Sequence, residues 1–254
     1  MSLMLHCGGK KASYEDLTQI RTPDRTETHV PVPHHEFVNM VRDNVPKGYK
    51  ISAEEFGIHG SKFFGVLYLD HADKFNEDYS FTVGMRNCHG KVLKNSIAFG
   101  SKVFVCDNMC FSGTNVVHRK HTAHIIRDLG GIIEGIMKKA RQANLDLDSQ
   151  ILGMKNRDMT QAEIHDLSVR LMDSGVLTPR SLKKTLEEYR RPKHSAFLPR
   201  TMWSYLNAVT ESIKPPKDRG NFDLHCNRTS NLHEVCVDYQ TPVMPTREDT
   251  VLSI

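Results

Sequence analysis

The spacing of apolar and polar positions along this chain changes period part-way through. Over residues 79–86 it alternates: Tyr79, Phe81, Val83 and Met85 are apolar, while Ser80, Thr82, Gly84 and Arg86 are not. That two-residue period belongs to a strand with one buried face. Residues 62–70 are apolar on both faces, which suits a central strand. His59-Gly60-Ser61 reads as a hairpin turn joining them to a strand-like stretch over 49–58. Val103-Phe104-Val105-Cys106 suits another buried strand, and residues 92–99 supply a further candidate. Short links make four or five such strands an antiparallel meander.

From about Arg119 the period becomes 3.6 residues. Ile125, Ile126, Leu129, Ile132, Ile133, Ile136, Met137 and Ala140 fall on one stripe of a helix of about six turns. Gly130, Gly131 and Gly135 within it each cost about 1 kcal/mol of helix propensity, and their small size predicts close packing against the sheet. Further helices are predicted over 34–44, 160–174, 178–191 and 198–213, the third opened by Thr178-Pro179 as N-cap and first helical residue. These elements predict an α+β fold: an antiparallel β-meander covered by a long amphipathic helix, followed by a C-terminal helical region. The chain divides into a polar N-terminal arm (1–30), an α+β core (31–145) and a helical region (146–213). An extended tail (214–254), Pro-rich and non-periodic, completes it.

Composition narrows the function classes. With 254 residues, 39% hydrophobic and 25% charged, there is material for one sizeable core. No apolar run nears the roughly 18 residues a membrane span needs. The first residues carry too short an apolar segment for a signal peptide, so the cytoplasm is the expected location and no membrane partner is expected. Six cysteines do not make a disulfide scaffold at this size. A net charge of +4 permits a nucleic-acid partner. A Walker loop, a G-x-G-x-x-G turn and a paired-carboxylate motif are all missing, which argues against a nucleotide-driven enzyme, and no cofactor is expected.

Candidate chemistry gathers where the strands end. Asn87-Cys88-His89-Gly90 has turn chemistry, and Asn108 follows the 103–106 run, so these side chains are expected to form a structural corner that caps loop backbone. A nucleophilic reading would take Cys88 beside His89 with Asn87 as orienter. Neighbours in an extended segment point opposite ways, however, and no G-x-S-x-G elbow is present. His118, His121 and His124, at steps of three, drift around a helix, so no metal is assigned. Cys106, Cys110, His118 and His121 remain weak zinc candidates, and His225, Cys226, His233 and Cys236 have loop lengths unlike the common zinc modules.

Basic residues are more suggestive. Arg86, outward-facing on its strand, His118, Arg119 and Lys120 at the start of the long helix, and Lys138, Lys139 and Arg141 near its end are candidate nucleic-acid contacts. Lys183, Lys184, Arg190, Arg191 and Lys193 mark the helical region, where Glu187 and Glu188 favour the plainer reading of a solvated surface.

Three stretches carry a resemblance: Arg86-Asn87-Cys88-His89-Gly90, residues 103–113, and residues 118–137. With Trp203, Asn207, Ala208, Thr210 and Glu211 further on, they resemble the phage/plasmid-like protein family, domain of unknown function 932, over roughly residues 30–213. Cys88 stands where that family usually has Ser, its usual Asp between His89 and Gly90 is missing, and Met109 replaces a common Gly. The resemblance implies a mobile-element origin, hence a host cytoplasm, and no established activity. A meander followed by a long helix is also the core layout of phage single-strand annealing proteins, an analogy of fold alone. The leading expectation is a non-enzymatic nucleic-acid-binding protein, with single-stranded DNA favoured and a role in replication or recombination. The alternative is an inhibitor of a host defence or nuclease complex acting by protein–protein binding. A hydrolase using residues 87–90 comes third, and homo-oligomerisation is open.

Overall fold

The computed structural model describes residues 9–71, 79–91, 94–103, 109–214 and 222–240, with the side chains of 102–118, 222, 223 and 226 outside that description. Val103, Val105, Cys106, Asn108, Cys110, Cys226 and the ring of His118 therefore lie outside the described side chains. Six strands form one antiparallel sheet in chain order: β1 (Lys10–Ala12), β2 (Tyr49–His59), β3 (Lys62–His71), β4 (Tyr79–Cys88), β5 (Asn95–Val103) and β6 (Met109–Arg119). The β2–β3 link is a two-residue turn at Gly60-Ser61, within the expected 59–61 hairpin turn but with His59 still paired in β2, and Gly60 takes a φ of +58° that costs glycine nothing.

The register explains the alternation in β4. Leu67 and Phe99 flank Val83, Gly65 and Ile97 flank Met85, and Leu69 and Ser101 flank Phe81. These side chains share one face and join a single continuous core with the first helices described below. The opposite face, with Phe64, Val66, Tyr68, Ser80 and Thr82, is also buried, outside that core. Arg86, expected to face outward, is half-buried, with Nη2 donating to Ser96 Oγ at 3.0 Å.

Eight helices are described: α1 (Tyr14–Gln19), α2 (His34–Asp43), α3 (Ile125–Met137), α4 (Ala140–Asn156), α5 (Gln161–Asp173), α6 (Pro179–Arg190), α7 (Met202–Ile213) and α8 (Phe222–Gln240). Capping boxes pair Thr160 with Glu163 and Thr178 with Ser181 at the starts of α5 and α6. α7 is buried on nearly every side from Met202 to Thr210.

Several expectations are corrected. The predicted long helix is two helices that break at Lys138 and Lys139. It starts at Ile125, not near Arg119, because Arg119 is the last residue of β6 and a turn through Thr122 intervenes. Ile126 is not on the buried stripe but 51% exposed. The glycines of α3 are not sites of close approach: a Cβ added to Gly130, Gly131 or Gly135 meets nothing within 4 Å. The 145/146 boundary falls inside α4, whose Ala143, Leu147, Ile151 and Met154 belong to the same core as the sheet. The arm is not loose, since β1 extends the sheet, Ser13 caps α1, and Leu17 and residues 29–32 are buried. Nor is the tail extended throughout: α8 buries Leu232 and Cys236 in the core. No described helix is long and apolar enough to cross a membrane.

Candidate functional site

Two places concentrate polar chemistry, and they lie on different elements. The first is the corner at the end of β4. Asn87 follows Met85 on the core-facing side, where an amide must find partners. Its Nδ2 donates to Val32 O at 2.7 Å and lies 3.0 Å from His34 Nδ1, while its Oδ1 accepts the Cys88 N–H at 2.8 Å. His89 then turns back onto the β2–β3 hairpin, its N–H donating to Ser61 O at 3.0 Å. Its Nε2 donates to Val32 O at 3.1 Å, and its ring stacks on that of His34 at 3.8 Å with 2° between the planes.

Two more histidines close the group. His29 Nε2 donates to His89 O at 2.9 Å, and His121 Nδ1 donates to Val30 O at 3.2 Å. Residues 29–34 thus form a strap across this end of the sheet, with Val30 N–H also donating to His121 O at 3.2 Å. Burial favours the neutral form of three of these rings: it lowers His34 to about 3 and His121 to about 4, and it lowers His89 as well.

The described bonds of this corner run mainly to backbone groups and pair no base with the thiol. The Cys88 thiol is buried, accepts the Gly90 N–H at 3.3 Å and lies 3.6 Å from Ser61 Oγ. Among the described residues no histidine nitrogen hydrogen-bonds to it, because His89 is turned to the strap. A Cys–His pair needs that bond. Nor do three described His, Cys, Asp or Glu side chains converge to hold a metal ion. His121, a weak zinc candidate, spends Nδ1 on Val30 instead. His225, His233 and Cys236 are buried on α8.

The expected basic surface is scattered. Arg119 ends β6 and pairs with Asp128, and Lys138 pairs with Glu134 at 2.7 Å. Lys120, Lys139 and Arg141 are exposed, with Lys120 separated from the other two by the length of α3.

The second place is a cleft of about 780 Å³ beside α6 and α7 that sequence reasoning noticed only as basic residues on a helical surface. Lys184, Arg190, Arg191, Lys193 and Lys214 line it with Glu187, Glu188 and Glu211. The carboxylates are already engaged. Lys193 Nζ lies 2.7 Å from Glu211 and 3.7 Å from Glu188, Lys214 Nζ lies 2.5 Å from Glu211, and Lys183 reaches Glu187 at 4.0 Å. Burial works against the charge on Glu211, but the hydrogen bonds from Lys193 and Lys214 prevail and hold its carboxyl below the ordinary value. Lys184, Arg190 and Arg191 are left on the cleft with no acidic partner among the described residues.

No family model matches the chain, and neither a curated protein nor a solved structure does.

Proposed function

We propose that this chain is a non-enzymatic nucleic-acid-binding protein that holds the phosphodiester backbone in the α6–α7 cleft. Its resemblance to phage/plasmid-like proteins suggests a mobile element as its source and the host cytoplasm as its place of action. The observation that carries the reading is the charge balance of the cleft. Its three carboxylates are occupied by lysines, while Lys184, Arg190 and Arg191 stand exposed without an acid among the described residues. Two neighbouring guanidinium groups present planar donor forks that match phosphate oxygens. An open, polar cleft suits a polyanion running through it better than a small apolar ligand, which would seek an enclosed greasy pocket.

The mode of contact follows from what is missing around the cations. No described Phe, Tyr or Trp side chain is exposed, so no stacking platform accompanies them. Phosphate contacts dominate, and binding tolerates any sequence. A role in replication or recombination, with single-stranded DNA favoured, remains the reading to test.

The test is fluorescence anisotropy with labelled single- and double-stranded oligonucleotides across a salt series. Three phosphate contacts release counterions with a slope of log K against log salt of about −2 for a single strand and about −3 for a duplex. Binding that ignores salt, or no binding at low ionic strength, sinks the proposal.

A further inference from the structure

We propose that residues 29–34 form an acid-released latch across the end of the sheet, locked by the neutral rings of His34, His89 and His121, with the His29 ring packed 5.1 Å from that of His121. This goes beyond the nucleic-acid reading and stands without it. The geometry of His34 and His121 favours uncharged rings. His34 Nδ1 lies 3.0 Å from the Asn87 amide nitrogen, which also donates to Val32 O, so that ring nitrogen is the acceptor and cannot carry a proton. Its other nitrogen, Nε2, is buried with no partner among the described residues, and so is His121 Nε2. A proton on either ring puts a charge where no group receives it. Parallel rings at 3.8 Å would bring a charged His34 flat against His89.

The groups acting on these rings come from every side: His29 from the strap, His34 and His35 from the start of α2, His89 from the end of β4, and His121 from the β6–α3 link. No carboxylate, lysine or arginine acts on His34, His89 or His121 among the described residues. Opening stops at α2, because Phe37, Val38 and Val41 are fully buried in the main core. What the opening exposes is the β4 corner, with Asn87 and the Cys88 thiol.

The pH window follows from burial. The folded-state value of His34 is lowered from 6.5 to about 3, so the closed latch is fully stable above 6.5 and loses stability as pH falls from there toward 3. For His34 alone, the ratio of closed to open falls about thirtyfold between about pH 7.5 and about pH 5.

Hydrogen exchange read by mass spectrometry on the full chain, corrected for the pH dependence of intrinsic exchange, measures this directly. Peptides covering residues 26–38 and 86–91 are expected to lose at least about thirtyfold of their protection over that range, while peptides from α5 and α7 keep theirs. Unchanged protection overturns the latch, as does equal loss in α5 and α7. Two variants identify the lock. H34F keeps a ring stacked on His89 and removes the titrating nitrogen. N87D gives a protonated His34 a carboxylate to bond, raising its folded-state value. Each is expected to make the fall at least about tenfold smaller than in the unmodified chain, what is left coming from His121. A fall as large as that of the unmodified chain, in whichever variant folds, overturns the assignment to His34.

Discussion

Replacing Asn87 with alanine tests the corner most sharply. The side chain is fully buried and satisfies three groups at once: the Val32 carbonyl, the His34 Nδ1 acceptor and the Cys88 N–H. Val32 O keeps the bond from His89 Nε2, so it is not stranded. His34 Nδ1 and the Cys88 N–H are. Each buried polar group left unpaired costs about 1–3 kcal/mol, and the small void left by the amide admits little compensating solvent. The expected loss is about 2–6 kcal/mol. For a chain of this size that lowers Tm by roughly 4–24 °C, at about 2–4 °C per kcal/mol. Chemical denaturation with unchanged m-value, read by circular dichroism and tryptophan fluorescence together, gives the free energy. A loss below about 1 kcal/mol would refute the reasoning, since it would mean that water already reaches these groups.

Other consequences are simpler to measure. Gly131→Ala and Gly135→Ala sit on an exposed, unobstructed face of α3, so each is expected to stabilise by about 0.5–1 kcal/mol in thermal melts, and a loss would show that something covers that face. Cys88→Ala removes the acceptor of the Gly90 N–H but no partner of a histidine. A cost of about 1–2 kcal/mol in denaturant titrations is expected, with oligonucleotide affinity unchanged. Abolished activity at an unchanged Tm would instead make the corner a catalytic site.

How much of this was legible in the sequence depended on how far apart the cooperating residues lie. The alternation of β4 and the caps at Thr160 and Thr178 are local signals, and local geometry honours them. α8 escaped notice because its buried positions include His225, Thr229 and His233, which mask the 3.6-residue period behind polar side chains. In α4 the buried stripe of Ala143, Leu147, Ile151 and Met154 is interrupted by Asn144, Asp146 and Asp148, and small Ala143 adds little hydrophobic weight. The histidine group could not be read at all. Its members come from positions 29, 34, 89 and 121, and only the meander brings the end of β4 under the strap. The cleft shows the same limit. Glu187 and Glu188 next to Arg190 and Arg191 read as a self-neutralising surface, but in the fold Lys183 and Lys193 take those glutamates, Lys193 bridging on to Glu211 of α7, and the arginines have no acidic partner among the described residues.

Charge reversal at the cleft, compared with charge reversal at the ends of α3, tests the central claim most directly. The variant K184E/R190E/R191E removes the cations without acid partners and touches no ion pair found among the described residues. K120E/K139E/R141E makes the same change in net charge elsewhere on the surface. If phosphate binds in the cleft, the first variant loses about a hundredfold or more in oligonucleotide affinity at low salt and its salt slope shrinks by about 2–3, while the second loses little. Equal losses would reduce the effect to net charge alone, and a loss confined to the second variant would place the nucleic acid at the ends of α3 and contradict the cleft.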